Sequence, residues 1–128
     1  YLLLLGLMFA TMRRHFDHEQ LMARTDPLTS ALNRRSFYEL IEFELSKCHR
    51  YGRPFSLAYL DLDNFKQVND RHGHQVGDEL LQVMVRLFSD RLRKSDVIAR
   101  IGGDEFAILL AEAGADAGDS RAQVVGAE

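Results

Sequence analysis

Two acidic residues, Asp104 and Glu105, directly follow a pair of glycines and precede an apolar run over 106–110. A second apolar run over 97–101 lies before the glycines, and two short runs around a glycine turn predict a β-hairpin. Side chains alternate across a strand, so the two carboxylates point to opposite faces and one can face a pocket beside the turn. Because glycine has no side chain, a ligand can approach the backbone there. An ordinary exposed turn is the competing interpretation.

A second acidic segment, 61–70, begins with Asp61 at the end of an apolar run over 54–60. Both faces of that run are apolar, which is typical of a central strand. A carboxylate at the end of such a strand can reach solvent and a ligand. A calcium-binding EF-hand loop also begins Asp-x-Asp, but Phe65 and Lys66 occupy the positions of its third ligand and its glycine. The segment therefore predicts either a ligand-binding carboxylate or a surface turn.

A third segment, 72–81, combines a glycine-containing loop with the start of a helix. His72 and His74 lack the cysteine or histidine partners that zinc requires. Asp78 is expected in the first helical turn, where negative charge is favourable, and could be a helix-end acid or a ligand-binding group. Apolar residues then recur at helical spacing and predict a face packed on the core; they are Leu80, Leu81, Met84, Leu87 and Phe88.

Together these segments resemble the GGDEF domain of diguanylate cyclases. The five signature letters stand at 102–106, the pattern D-x-D-x-F-K-x-x-N-D at 61–70, and G-H-x-x-G-D at 73–78. A fourth motif, D-P-L-T-S-A-L-N-R-R at 26–35, has Ser30 where the family usually has glycine. The four motifs occur in the family's order, from about Thr25 to the end of the chain.

The resemblance implies an α/β fold with a ferredoxin-like, nucleotidyl-cyclase-like sheet and flanking helices. We expect helices near 34–51 and 77–92, strands at 54–61, 96–101 and 106–111, and a site at the strand ends. In the family a helix, a strand and a further helix follow, with basic residues that contact the GTP phosphates. The sheet is therefore expected to be incomplete at the C-terminus, where a helix begins at Ser120. Residues 1–128 alone are expected to be inactive.

The resemblance also implies that two GTP molecules condense to cyclic di-GMP with release of pyrophosphate, each 3′-hydroxyl attacking the other's α-phosphate. Such chemistry needs alignment and neutralisation of phosphate charge. Mg²⁺ or Mn²⁺ supplies this and prefers oxygen ligands. Asp104 is expected to help deprotonate the 3′-hydroxyl, and Glu105 and Lys66 are further catalytic candidates. The expected metal ligands are Asp61, the Leu62 carbonyl, Asp104 and Glu105, which requires strand 54–61 to lie beside the hairpin.

The remaining motif positions are expected to bind the nucleotide. Lys66 would contact the terminal phosphates as a point charge, and backbone N–H groups around Asn64 and Phe65 would assist it. Asn69 can donate and accept hydrogen bonds and Asp78 only accepts, so together they suit the guanine edge. Adenine would leave a polar group unpaired, which favours GTP over ATP.

Arg93 and Asp96 match the Arg-x-x-Asp pattern of the family's inhibitory site, at which the product cyclic di-GMP binds. The planar arginine side chain suits phosphate and guanine. The alternative is a solvated helix end, since basic residues suit a helix C-terminus.

The net charge of −3 gives no basic excess that would suggest nucleic-acid binding. Since one domain holds one GTP and the product needs two, activity would require a homodimer. A non-catalytic module that binds GTP or cyclic di-GMP is the alternative function. The single cysteine, Cys48, lies on an apolar stripe of a predicted helix, where we expect it to be buried.

The N-terminal segment 1–12 is strongly apolar and is followed by Arg13 and Arg14. We interpret residues 1–14 as the end of a transmembrane helix with its basic flank in the cytoplasm, which places the protein in the inner membrane. A buried or interfacial helix is the alternative. Residues 15–24 would form a helical connector and residues 25–128 a partial GGDEF domain, so we expect the chain to be truncated at both ends.

Overall fold

The computed structural model describes residues 1–112, which form four helices and four strands. In chain order these elements are α1 (Leu2–Met22), β1 (Leu32–Asn33), α2 (Arg34–Tyr51), β2 (Phe55–Asp61), α3 (Phe65–His72), α4 (His74–Arg91), β3 (Val97–Arg100) and β4 (Glu105–Ala111). The predicted helix at 34–51 is confirmed, and each of the three predicted strands lies within one residue of its expected bounds. The predicted helix from Ser120 lies outside the described residues.

The strands form one sheet in the order β1-β3-β4-β2. β4 pairs antiparallel with β3 on one side and with β2 on the other, and β1 pairs parallel with β3. The predicted hairpin and the predicted α/β class are therefore confirmed. β4 lies between β3 and β2. Hydrogen bonds on both sides therefore fix the backbone at the start of β4, where Asp104 and Glu105 lie.

β4 is buried on both faces of the sheet. Phe106, Ile108 and Leu110 pack in one cluster with α4, and Ala107 and Leu109 pack in a second cluster with α2. This is the alternation expected of a strand, with helices covering both faces. The α4 residues in the first cluster are Leu81, Met84 and Val85, with Phe88 packed against it, whereas Leu80 and Leu87 of the predicted apolar face are exposed.

Local backbone signals explain where α2 begins and ends. The Asn33 side chain accepts a hydrogen bond from the Ser36 N–H at 2.9 Å, which caps the N-terminus. Gly52, with φ of 63°, ends the helix in the left-handed conformation that glycine adopts readily. Within residues 1–112, α2 packs on the sheet through Phe37, Leu40 and Ile41, which lie in its first half. The prediction for Cys48 is therefore wrong, because Cys48 lies beyond this contact and is only half-buried.

α4 begins at His74, three residues before the predicted start. Gly73, with φ of 88°, ends α3 and allows α4 to start at the next residue. Asp78 consequently lies in the second turn, and the expectation that it occupies the first turn is wrong. α3 and β1 were not predicted.

α1 is a continuous helix through the predicted boundary between residues 14 and 15. Its apolar side chains from Leu2 to Phe9 are exposed. Within residues 1–112, no helix has the combined length and hydropathy needed to cross a membrane.

Candidate functional site

The pairing of β2 with β4 brings the acidic residues of two motifs together. Asp61 is the register partner of Glu105, and the Leu62 N–H donates to the Asp104 carbonyl oxygen at 3.2 Å. The predicted neighbourhood of the strand ending at Asp61 and the hairpin is thus confirmed. All four predicted metal-binding positions lie on two adjacent backbone segments at one end of the sheet.

Asp61 and Glu105 share a face of the sheet with Tyr59. Desolvation at the sheet surface and then the negative charge of Glu105 raise the pKa of the Tyr59 hydroxyl, and Asp61 contributes to the same rise. The Glu105 carboxylate lies over Gly102, where an added Cβ would be 2.7 Å from Oε2. A side chain at position 102 would therefore displace the Glu105 carboxylate.

The donors at this strand end are carboxylate and carbonyl oxygens, the ligands that Mg²⁺ prefers. In the described part of the chain, no group of three or more histidine, cysteine, aspartate or glutamate side chains is already arranged to hold a metal ion. The donor chemistry fits a divalent cation, and the metal assignment stays a prediction.

The Arg100 side chain hydrogen-bonds to the backbone of the signature turn, residues 101–104. Its guanidinium donates to the carbonyl oxygens of Gly102 at 3.1 Å and Gly103 at 2.8 Å. The same side chain forms an ion pair with Asp26 at 3.2 Å, and both side chains are less than one-fifth exposed. Arg100 thus ties the N-terminal motif to the turn that precedes Asp104. Sequence reasoning assigned no role to Arg100, although its position two residues before the glycines was a usable signal.

The Asp26 carboxylate is held from two directions. It accepts hydrogen bonds from the Thr29 N–H at 2.9 Å and the Thr29 hydroxyl at 2.8 Å, in addition to the Arg100 ion pair. Burial alone would raise the pKa of Asp26. The hydrogen bonds from Thr29, followed by the charge of Arg100, outweigh burial, and the pKa is lowered from its ordinary value of 3.8. Asp26 is therefore ionised and fixed in place at neutral pH.

The phosphate-binding residues of the prediction lie at the start of α3. Asn64 is left-handed, with φ of 60°, and its side chain does not cap the helix. The first N–H groups of a helix have no partner within it and can bind an anion. Lys66 is exposed beside them, and Phe65 packs against the core and anchors the turn.

The two predicted guanine-binding residues lie on neighbouring helices, Asn69 on α3 and Asp78 on α4. The Asn69 Oδ1 atom is buried and has no hydrogen-bond partner within residues 1–112. A buried, unpaired acceptor is unfavourable unless a donor arrives. Asp78 is exposed and follows Gly77, whose Cα lies against the Asn69 carboxamide. Asp78 is therefore the member of the pair whose acceptor oxygens are open to a ligand.

Arg93 and Asp96 differ in environment. Arg93 is exposed, whereas Asp96 is 8% exposed and accepts from the backbone N–H groups of Arg93 at 3.0 Å and Ala111 at 3.3 Å. Asp96 therefore shapes the loop, and Arg93 is the member of the pair that can reach a ligand.

The sequence profile described as "Diguanylate cyclase, GGDEF domain" matches residues 23–127. The chain belongs to the GGDEF family. The diguanylate cyclase DgcP of Pseudomonas aeruginosa is 42% identical over 104 residues, which are 81% of this chain and 16% of DgcP. The cyclic di-GMP phosphodiesterase NbdA of the same species is 44% identical over 88 residues, 69% of this chain and 11% of NbdA.

The GGDEF assignment also agrees with solved structures. The GGDEF domain of DgcB from Caulobacter crescentus, crystallised in complex with c-di-GMP, matches with a TM-score of 0.70 and 33% identity. The match covers 73% of this chain and 55% of that structure. Among the curated relatives, this chain spans 16% of the length of DgcP and 11% of the length of NbdA.

Proposed function

We propose that this GGDEF domain is a diguanylate cyclase that condenses two GTP molecules into cyclic di-GMP and releases pyrophosphate. The observation that carries the proposal is the register of β2 with β4, which sets Asp61 opposite Glu105 and bonds Leu62 to Asp104. A hairpin with only a structural role would not require acidic residues from two distant motifs at the same end of the sheet. The relative DgcP, named as a diguanylate cyclase, supports the same activity.

The residues of the site have distinct tasks in this proposal. Mg²⁺ or Mn²⁺, held by Asp61, the Leu62 carbonyl, Asp104 and Glu105, would neutralise charge on the phosphate oxygens. Asp104 accepts the proton of the attacking 3′-hydroxyl. Lys66 and the N–H groups at the start of α3 bind the terminal phosphates, which positions the α-phosphate for attack.

The base is selected by Asn69 and Asp78. The Asn69 carboxamide hydrogen-bonds to the guanine edge, and the exposed Asp78 carboxylate accepts a guanine N–H. Adenine presents an acceptor at the position of the guanine N1–H, so it would leave the Asp78 carboxylate unpaired.

The assembly and the regulation are proposed on the same basis. Two protomers face each other so that each supplies one GTP, since one site holds one nucleotide. Cyclic di-GMP binds at Arg93 and inhibits, with Asp96 holding the loop. Attachment to the inner membrane with the site in the cytoplasm is proposed from the apolar residues 1–12 and the basic pair that follows them.

The test is production of cyclic di-GMP by the full-length protein with GTP and Mg²⁺. Asp104→Asn and Asp61→Asn should each abolish turnover, while thermal unfolding shows that the fold is kept. Asp63→Asn is the matched control, because Asp63 is an exposed acid of the same motif and the charge change is the same. Near-normal turnover by a folded Asp104→Asn variant would contradict the proposed chemistry.

A second candidate is a module that binds GTP or cyclic di-GMP without catalysis. It is favoured by the likeness to NbdA, a relative named for a different activity. Saturable GTP binding with no cyclic di-GMP formed at protein concentrations above dimerisation would select this candidate.

A further inference from the structure

Gly77 and Asn69 meet where α4 lies against α3. A Cβ added at Gly77 would overlap the Asn69 Oδ1 atom and lie 3.0 Å from Asn69 Cγ. It would also lie 3.3 Å from Phe65 Cζ, which is tight but allows a small adjustment. The buried position of the Asn69 carboxamide therefore exists only because residue 77 has no side chain.

An alanine at position 77 would displace the carboxamide and leave the helices in place. The overlapping atom is the far end of a flexible side chain, so rotation of Asn69 relieves the clash at low cost. Alanine also favours the helical conformation more than glycine does, which supports α4 at this position. The substitution should thus move one functional group and preserve the fold.

We propose that Gly77 is a positioning residue for base recognition: its bare Cα leaves the space that holds the Asn69 carboxamide in the position from which it binds the guanine edge. This inference rests on the proposed GTP-binding function. It assigns to Gly77 a task beyond close packing of the two helices, because the side chain that a Cβ would displace is the one proposed to bind the base.

The experiment compares GTP and ATP binding by competition in the full-length protein, with thermal unfolding measured in parallel. Gly77→Ala should weaken GTP binding roughly tenfold, the loss expected when one hydrogen bond to the base is removed, and should reduce the preference for GTP over ATP. Asn69→Ala should cause a similar loss. The Gly77→Ala/Asn69→Ala double variant should bind GTP no more weakly than Asn69→Ala, because the atoms that clash with the new Cβ are gone.

Gly6→Ala is the matched control, because Gly6 also lies in a helix and an added Cβ there meets nothing within 4 Å. It should leave both nucleotide affinities unchanged. A further loss from Gly77→Ala in the Asn69→Ala background would overturn the inference, since Gly77 would then act through another contact. Unfolding of the Gly77→Ala protein would also overturn the inference, because the new Cβ would then disrupt the packing of α3 on α4 and not only rotate the Asn69 carboxamide.

The two proposals fail in different ways. If the unaltered protein binds no GTP, the proposed function fails and the inference fails with it. If the unaltered protein prefers GTP and Asn69→Ala removes that preference while Gly77→Ala keeps it, only the inference about Gly77 is overturned.

Discussion

The ion pair between Asp26 and Arg100 should make Asp26 one of the most sensitive polar positions for stability. Its carboxylate accepts two hydrogen bonds from Thr29 and pairs with Arg100, which in turn holds the carbonyl oxygens of the signature turn. Asp26→Ala removes all of these contacts at once. Asp26→Asn keeps one acceptor oxygen for Thr29, removes the charge and replaces the oxygen that faces Arg100 with an NH₂ donor, so the two variants separate the Thr29 hydrogen bonds from the Arg100 ion pair.

The magnitude follows from the burial of the pair. Hydrogen bonds to charged groups contribute roughly 1.5–3 kcal/mol, and solvent screening at the partly exposed edge reduces the ion-pair share. We therefore expect Asp26→Ala to lower the free energy of unfolding by about 3 kcal/mol, since it also leaves the buried Thr29 N–H unpaired. Asp26→Asn should lower it by about 1–2 kcal/mol, because the Arg100 guanidinium keeps only a neutral partner.

The pH dependence has a defined sign. The pKa of Asp26 is lowered in the folded protein, so its carboxylate contributes stability above the ordinary value of 3.8 and loses that contribution as pH falls through the folded pKa. The difference in unfolding free energy between the unaltered protein and Asp26→Asn should therefore be constant at neutral pH. It should shrink as the pH falls below 3.8.

Urea unfolding monitored by circular dichroism at several pH values measures these differences. Glu39→Gln is the control, because the Arg35–Glu39 pair is more than half exposed and should contribute less than about 0.5 kcal/mol. A cost for Asp26→Ala no larger than that of Glu39→Gln would refute the reasoning. A difference for Asp26→Asn that is the same at acid and neutral pH would refute the assigned role of its charge.

Three further predictions concern the backbone, the assembly and the regulation. Ser30 is exposed with φ of 63°, so Ser30→Gly should stabilise the fold by about 0.5–1 kcal/mol, and an unchanged urea midpoint would contradict this. The rate per protomer should rise with protein concentration, and a flat rate across a measured monomer–dimer transition would exclude the half-site arrangement. Arg93→Ala should weaken cyclic di-GMP binding roughly tenfold, as expected for loss of a charged hydrogen bond; unchanged product inhibition would make Arg93 an ordinary exposed residue.

The elements that the sequence predicted correctly carry strong local signals. The strands are apolar runs, and α2 has an asparagine cap and a terminal glycine. α3 was not predicted because it has eight residues, follows a left-handed Asn64 and has no side-chain cap. Its position depends on Phe65 packing against the core, which is a tertiary contact. The late start predicted for α4 has a similar cause, because Gly73 was interpreted as part of a loop.

The acids of the site were predictable from their motifs, but their neighbourhood was not predictable from spacing. Asp61 and Asp104 are 43 positions apart, and only the resemblance to the GGDEF family implied that their strands pair. The contact between Gly77 and Asn69 depends on how α3 crosses α4, which no local pattern contains. Sequence patterns thus indicated the residues of the site, and tertiary packing determined which of them meet.

The signature turn is held by contacts within the protein, and this affects how variants of Asp104 are interpreted. Arg100 bonds the Gly102 and Gly103 carbonyl oxygens on one side, and the Leu62 N–H bonds the Asp104 carbonyl oxygen on the other. Each of these bonds uses the backbone of the turn. Replacing the Asp104 side chain therefore leaves the turn in place, so loss of turnover in Asp104→Asn would report on the chemistry of the carboxylate. In an Arg100 variant that thermal unfolding shows to be folded, loss of turnover would instead report on the position of the turn. In the described contacts, Arg100 touches neither the side chains of the proposed metal ligands nor the nucleotide-binding residues.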